Sequence, residues 1–273
     1  MRTLKYRSKG ADVYTLEELL VEIGYSVFVS TYFGRDTHRA VVDFQTTKNL
    51  VVDGIVGPKT WLVLLESKNQ IVKFNDKFLS ENDLKDFAAK YNLELAAVKA
   101  VNEVESVGKG FLLDGRPRIL FEGHVFWREL KKRNIDPNSL VSDRSKNVLY
   151  KNWTTKHYEG GKQEYDRMEK AAGLSDHDAV HEAAFASASY GAFQIMGFHY
   201  KTLGYPNVDS FVAHFYTHEK THLEAFGGFC NVNNLMRHLQ SKNWAAFAKG
   251  YNGPQFKKNK YDIKLANAYH KYS

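Results

Sequence analysis

Apolar residues recur at helical spacing from the start of the chain. Val13, Leu16, Leu19, Leu20 and Ile23 fall on one helix face, behind the opening Ser8-Lys9-Gly10-Ala11-Asp12-Val13 and ahead of Gly24, a C-cap residue. Phe33-Gly34-Arg35-Asp36-Thr37 then predicts a second helix, capped by Asp36 or Thr37 and carrying Ala40, Val41 and the pair Phe44-Gln45. A near-copy of that turn, Asp53-Gly54-Ile55-Val56-Gly57-Pro58-Lys59-Thr60-Trp61, launches a third. Leu4 to Leu65 therefore reads as a compact three-helix unit with a weak internal repeat of two G-x-x-T turns. Polar Glu66-Ser67-Lys68-Asn69-Gln70 makes a short linker, and a new domain starts around Val72.

The longer part is patterned for helices too. Ser80-Glu81-Asn82-Asp83 is a capping box ahead of Leu84, Phe87, Ala88 and Tyr91. From about Leu93 a second helix places Val98, Val101 and Val104 roughly on one face, ends at Ser106, and gives way to a turn through Gly108 and Gly110. Apolar Ile119-Leu120-Phe121 is followed by Glu122-Gly123-His124 and the aromatic pair Phe126 and Trp127. The stretch 134–161 is polar and irregular, a long loop over the surface or a cleft. Helices are expected from Gln163 to Ala172, after Ser175-Asp176-His177-Asp178, from Asp209 to Phe226, and near Trp244. The fold class is mainly α.

Against this frame one carboxylate stands out. Glu105 is the last helical residue before the glycine-bearing turn. A carboxylate at the C-terminal end of a buried helix feels the negative end of the helix dipole and partial desolvation. Both raise its pKa, as a general acid near neutral pH requires. Glu103, about 200° away around the helix, faces elsewhere. Asp114 is a weaker candidate on the following loop. In Ser187-Ala188-Ser189-Tyr190-Gly191-Ala192-Phe193-Gln194-Ile195-Met196-Gly197, small residues and glycines let the backbone approach a ligand, and Gln194 can present a bidentate amide to a sugar. Tyr251-Asn252-Gly253-Pro254 reads as a turn displaying a ring suited to stacking on a sugar face.

Composition narrows the classes. The single cysteine, Cys230, excludes an internal disulfide and a cysteine metal cluster. The net charge of +7 favours polyanionic partners, whether nucleic acid, anionic glycans or a cell surface, without choosing among them. No apolar run approaches a membrane span, and Met1 to Gly10 lacks the apolar core of a signal peptide. The expectation is synthesis in the cytoplasm, with no signal peptide and no stable membrane insertion.

Two resemblances then enter. The segment with S-K-G-A-D-V, F-G-R-D-T-H-R-A-V, the F-Q pair and D-G-I-V-G-P-K-T-W resembles the peptidoglycan-binding domain found at the ends of many cell-wall hydrolases. One departure is Glu17 or Glu18, where a glutamine commonly follows the leucine. From Ser80 to Tyr269, E-V-E-S-V-G-K-G-F, G-R-P-R-I-L-F-E-G-H-V-F, S-A-S-Y-G-A-F-Q-I-M-G and Y-N-G-P resemble the N-acetylmuramidase domain of phage endolysins, related to goose-type lysozymes and lytic transglycosylases. The whole chain thus resembles a modular endolysin, with a wall-binding domain at 1–68 and a lysozyme-like α-helical catalytic domain at 75–273.

The resemblance implies a peptidoglycan hydrolase that cleaves the β-1,4 bond between N-acetylmuramic acid and N-acetylglucosamine, with Glu105 as general acid. It makes Glu122 a possible second carboxylate, a structural hydrogen bond being the other reading. Tyr190, Gln194, Tyr251 and Asn252 become substrate-binding candidates, with plain packing the alternative for each. No metal or cofactor is implied. The partner is bacterial peptidoglycan rather than nucleic acid, the protein a monomer, and its place the host cytoplasm until release to the wall. Whether the product is hydrolysed or an internal anhydro sugar stays open, because lytic transglycosylases share the scaffold.

One signal competes. His218-Glu219-Lys220-Thr221-His222 satisfies the zinc-hydrolase pattern H-E-x-x-H inside the helix expected from Asp209 to Phe226, so a zinc-dependent wall endopeptidase is an alternative. Against it, Glu219 lies on the apolar stripe of Val212, Phe215, Tyr216 and Leu223, and no third ligand follows at a diagnostic spacing. The related muramidases carry a glutamate and then a glutamine here. A module that grips the wall without catalysis is a further alternative, and an intact Glu105 in its motif argues against it.

Overall fold

A computed structural model describes residues 2–69, 77–106, 110–112 and 115–273. The expected linker end at Gln70, the domain start at Val72, the first residues of the segment from 75, the turn residue Gly108 and the candidate Asp114 lie outside the described residues. The fold is mainly α, with one small sheet. Contacts divide the chain into two compact units, Met1–Val104 with Ile263–Ser273, and Glu105–Asp262.

In the first unit, α1 (Ala11–Glu22), α2 (Arg35–Thr47) and α3 (Pro58–Asn69) enclose a core of Leu4, Val13, Leu16, Leu20, Phe33, Val41, Phe44, Val56 and Leu64. Burial of side chains of this size stabilises by about 1.5–3 kcal/mol each, which is what makes so small a unit fold. The N-cap of α2 is Gly34, earlier than the expected Asp36 or Thr37. Thr37 is drawn inward, where its hydroxyl donates to Glu17 Oε1 at 2.6 Å. Glu17 is fully buried and also accepts the Ser30 N–H, so the departure from glutamine at this position serves the fold. Gln45 of the F-Q pair is the spindle of the second turn. Its amide donates to Asp53 Oδ1 at 2.8 Å and to the Ile55 carbonyl at 3.0 Å, while its oxygen accepts the Gly54 N–H at 2.9 Å.

The capping box forms: Ser80 and Asp83 cap α4 (Glu81–Tyr91) reciprocally. After it comes α5 (Leu95–Val101). These helices group with the first three because Glu81 and Lys99 grip one residue of the second turn from both sides. Glu81 Oε2 accepts the Val52 N–H at 3.1 Å, Lys99 Nζ donates to the Val52 carbonyl at 2.9 Å, and the two side chains pair at 2.7 Å.

The second unit is built around an antiparallel sheet of β1 (Ile119–Phe121), β2 (Ala188–Tyr190) and β3 (Ile195–Met196), with Ile119 opposite Tyr190 and Ser189 opposite Met196. Its helices are α6 (Gly123–Lys132), α7 (Gln163–Ala172), α8 (Asp178–Ala186), α9 (Val208–Phe215), α10 (Glu219–Val232), α11 (Met236–Gln240) and α12 (Trp244–Asn252); α13 (Tyr261–Tyr272) closes the chain. The segment 134–161 is largely irregular, with one 3-10 turn at Pro137–Leu140. A buried ion pair on α7 holds it. Arg167 and Glu164 meet at 2.6 Å, Arg167 donates to the carbonyls of Phe121 and Asn147, and Glu164 accepts the N–H groups of Phe121, Glu159 and Gly160.

The single helix expected from Asp209 to Phe226 is two. The chain breaks at Tyr216–His218, where no Gly or Pro marks the stop. The break is made by side chains: His218 is extended and its Nδ1 caps the Lys220 N–H at 2.8 Å, while the Thr221 hydroxyl donates back to the His214 carbonyl at 2.7 Å.

Candidate active site

Glu105 sits in a π-helical turn, Asn102–Ser106, that follows α5 directly, where an α-helical end was expected. A π turn widens the backbone by one residue and re-aims its side chains, and such turns gather at functional sites. Glu105 is half-buried. The Asn252 amide, on the last residue of α12, donates to its Oε1 at 3.1 Å. Burial and then the Glu105 charge push up the Tyr251 and Tyr261 hydroxyls and the Cys230 thiol, so all three stay neutral beside it.

Gly110 is held by a second carboxylate. Gly110 N–H donates to Glu219 Oε1 at 3.1 Å, and a Cβ on Gly110 would lie 2.4 Å from that oxygen, so only glycine fits. Gly110 also accepts the Arg118 N–H at 2.9 Å, which ties this segment to the approach to β1. Glu219, on the stripe that the sequence marks as apolar, is thus a buried strut.

Of the four expected substrate contacts, the structure brings Asn252 alone against Glu105 by a direct hydrogen bond. Tyr190 packs in the core. It is 0% exposed, donates its hydroxyl to the Phe185 carbonyl at 2.9 Å, and packs on Phe211 and Phe215. Gln194 takes a left-handed backbone (φ 51°) and turns its amide on its own hairpin. It donates to the Gly191 carbonyl at 2.8 Å and accepts from Ser189 Oγ at 2.8 Å. Tyr251 and Asn252 end α12 instead of forming a turn, and Gly253 (φ 78°) stops the helix. The Tyr251 ring stacks on Phe247 at 5.5 Å, and its hydroxyl donates to the Phe193 carbonyl at 2.6 Å.

Glu122 caps the start of α6. Both its oxygens accept the Tyr158 hydroxyl at 2.7 Å, and His124 Nδ1 lies 3.2 Å away. Burial pushes the Glu122 carboxyl up and the His124 imidazole down, which favours neutral forms of both. Tyr158 and the pair Glu164–Arg167 were not legible as partners of this region. A glutamate and an arginine three apart on a helix look like an ordinary surface pair.

The residues of the H-E-x-x-H pattern are engaged in hydrogen bonds of the fold. His218 precedes α10 and its Nδ1 is engaged by Lys220 N–H. His222 is fully buried, its Nδ1 accepting the Ala192 N–H at 3.2 Å and its Nε2–H donating to the Phe215 carbonyl at 2.7 Å. Gly191, at φ 71°, leaves room for that ring, since a Cβ there would lie 2.7 Å from His222 Cγ.

Comparison with known proteins places the chain in a family. The family model for N-acetylmuramidase matches residues 94–273, and that for a peptidoglycan binding domain matches residues 9–64. The structure is similar to a crystal structure of a Burkholderia AP3 phage endolysin, with a TM-score of 0.87 and 38% sequence identity over 100% of this chain and 98% of that one. A stretch of 52 residues is 42% identical to the N-acetylmuramoyl-L-alanine amidase CwlM of Mycobacterium tuberculosis, covering 19% of this chain and 13% of that protein's length. With the muramidase model spanning the half-buried Glu105, its Asn252 partner and the helices around them, the chain belongs to the N-acetylmuramidase family, glycoside hydrolases acting on peptidoglycan, and carries a peptidoglycan-binding domain ahead of the muramidase part.

Proposed function

We propose that the chain cleaves the β-1,4 bond between N-acetylmuramic acid and N-acetylglucosamine, with Glu105 as the general acid. The observation that carries this is the Asn252 amide on Glu105 Oε1. An N–H donor prefers the carbonyl oxygen of a protonated carboxyl group, so Oε1 is the carbonyl oxygen and Oε2 carries the proton toward the leaving glycosidic oxygen. Glu122, engaged by Tyr158, serves the architecture of β1 and α6 in this reading, and water attacks without a covalent glycosyl intermediate on a second carboxylate.

Residues 1–68 would raise the local concentration of the catalytic part at the wall, and residues 75–273 would cut. The protein would act as a monomer, on peptidoglycan and not on nucleic acid. Among the described residues no helix is long and apolar enough to cross a membrane. Mass spectrometry of digested, purified peptidoglycan tests the chemistry. Disaccharides with reducing N-acetylmuramic acid ends and uncut stem peptides are expected. Anhydro ends would move the enzyme to the transglycosylases, and new free amines would move it to the endopeptidases.

A further inference from the structure

The cations of the first domain are unevenly matched. Arg2 pairs with Asp12 at 3.3 Å and Arg39 with Asp36 at 3.7 Å. Arg7, Lys9 and Arg35 have no carboxylate partner among the described residues. They gather instead on two phenol rings that are 38% and 42% exposed, Tyr6 and Tyr32. The Arg7 guanidinium lies 5.4 Å from the Tyr6 centroid and the Lys9 ammonium 5.7 Å from that of Tyr32. Arg35, and then Arg7, lower the pKa of the Tyr6 hydroxyl beside them.

The backbone builds this face. Arg7 N–H donates to the Phe33 carbonyl at 2.9 Å, Phe33 N–H donates to the Ser8 carbonyl at 2.9 Å, and Lys9 bridges Tyr32. Arg7 is held at φ 71°, a left-handed conformation rare for a long side chain. His38 meets the Tyr6 ring edge-on at 5.9 Å, and burial lowers its pKa, so it adds no charge of its own at neutral pH.

We infer that this face of Tyr6, Arg7, Lys9, Tyr32 and Arg35 is the surface with which the first domain grips peptidoglycan, its cations taking the free carboxylates of the stem peptides. The inference rests on peptidoglycan being the ligand of this domain. A guanidinium is weakly hydrated and matches a carboxylate in bidentate fashion, and here two act on one exposed phenol. The flanking rings add apolar contact for the sugars between stems.

The rival surface in the same domain is an open groove of about 710 Å³ lined by Glu22, Gly24, Tyr25, Phe44, Thr47 and Lys48. Its one cation, Lys48, is accompanied by Glu22, and the Tyr25 hydroxyl is fastened to Asp43 at 2.9 Å. Those carboxylates repel a stem peptide's own. Charge complementarity therefore selects the Tyr6–Tyr32 face.

The test is equilibrium binding of the full chain to purified sacculi in the cold, at low and high salt. Arg7→Asn with Arg35→Gln should weaken binding by about tenfold at low salt, with the difference shrinking at high salt. Arg2→Gln with Arg39→Gln removes the same net charge from already paired cations and should leave binding near wild type. Unfolding midpoints show whether each variant is folded. Sacculi whose carboxylates have been amidated should bind wild type no better than the Arg7/Arg35 variant. Equal losses from the two pairs of substitutions, undiminished binding by the Arg7/Arg35 variant, or full binding to amidated sacculi would overturn the assignment. So would tighter binding to duplex DNA than to sacculi at the same salt. If wild type itself does not bind sacculi, the wall-binding reading of the domain fails, a result separate from the choice of face. A loss confined to Lys48→Glu would move the site to the groove.

Discussion

Glu105, the proposed acid, and Glu164 are both glutamates in the unit Glu105–Asp262, and their surroundings differ. Glu164 is 0% exposed, pairs with Arg167 at 2.6 Å, and accepts three backbone N–H groups. Those bonds tie a strand end to a loop. Glu105 is half-buried, meets a neutral amide, and has neutral hydroxyls and a thiol near it. What separates the strut from the proposed acid is therefore the partners, a guanidinium and three backbone N–H groups for one and a side-chain amide for the other. Burial alone does not decide it, and Glu219, buried and bound to Gly110 N–H, makes the same point.

The largest expected effect tests the Glu105 half of this comparison. Glu105→Gln should keep the fold and lose wall-clearing activity by about 10²–10⁴-fold, because an amide has no proton to transfer to the leaving oxygen. Turbidity clearing by a folded protein is the measurement, and wild-type rates would remove Glu105 from the chemistry. The Glu164 half shows in stability. Glu164→Gln leaves Arg167 buried without its counter-charge and should cost about 3–5 kcal/mol in chemical denaturation. Glu164→Gln with Arg167→Met should cost less than the sum of the two single changes, since no orphaned charge remains. A stable but inactive Glu164→Gln protein would erase the distinction.

The sequence makes such partners hard to see, and for a physical reason. Helices declare themselves through periodicity: α1 and α7 lie where Val13 to Ile23 and Gln163 to Ala172 place them, and the capping box at Ser80 fixes the start of α4. Strands of two or three residues carry no period, so β1, β2 and β3 were invisible even though Ile119-Leu120-Phe121 stood out as apolar. The stop between α9 and α10 is made by His218 and Thr221 side chains, not by Gly or Pro, and the pattern ran through it. The motif around Gln194 was legible as special, but a motif does not say whether an amide faces a sugar or its own turn. Asn252 against Glu105 joins residues 147 apart, a contact that spacing cannot reveal.

A subtler change probes how Glu105 keeps its proton. Asn252→Asp would place a second carboxylate where an amide now lies 3.1 Å from Oε1. A like charge disfavours ionisation, so the Glu105 pKa rises and the acid stays protonated to higher pH. The alkaline limb of the pH–rate profile should move up by about one unit or more, while the maximal rate falls because the donor to Oε1 is lost. Asn252→Ala should lower the rate without that upward shift. A limb that stays in place in the aspartate variant would show that Asn252 does not sense the proton on Glu105.

The smallest expected effect concerns the zinc alternative, and it also separates struts from acids. His222 uses both ring nitrogens, accepting from Ala192 N–H and donating to the Phe215 carbonyl. A glutamine carries one acceptor and one donor at similar reach, so His222→Gln can rebuild both bonds, losing the ring's stacking on Phe215 at 4.9 Å. The expected outcome is a stability loss of about 1 kcal/mol and near wild-type wall clearing, unchanged by EDTA in either protein. His222→Ala, which leaves the Ala192 N–H without a partner, should cost more stability than the glutamine variant. Inactivation by EDTA together with a folded, inactive His222→Gln protein would instead make His222 a metal ligand, because a hydrogen-bonding strut loses nothing to a chelator.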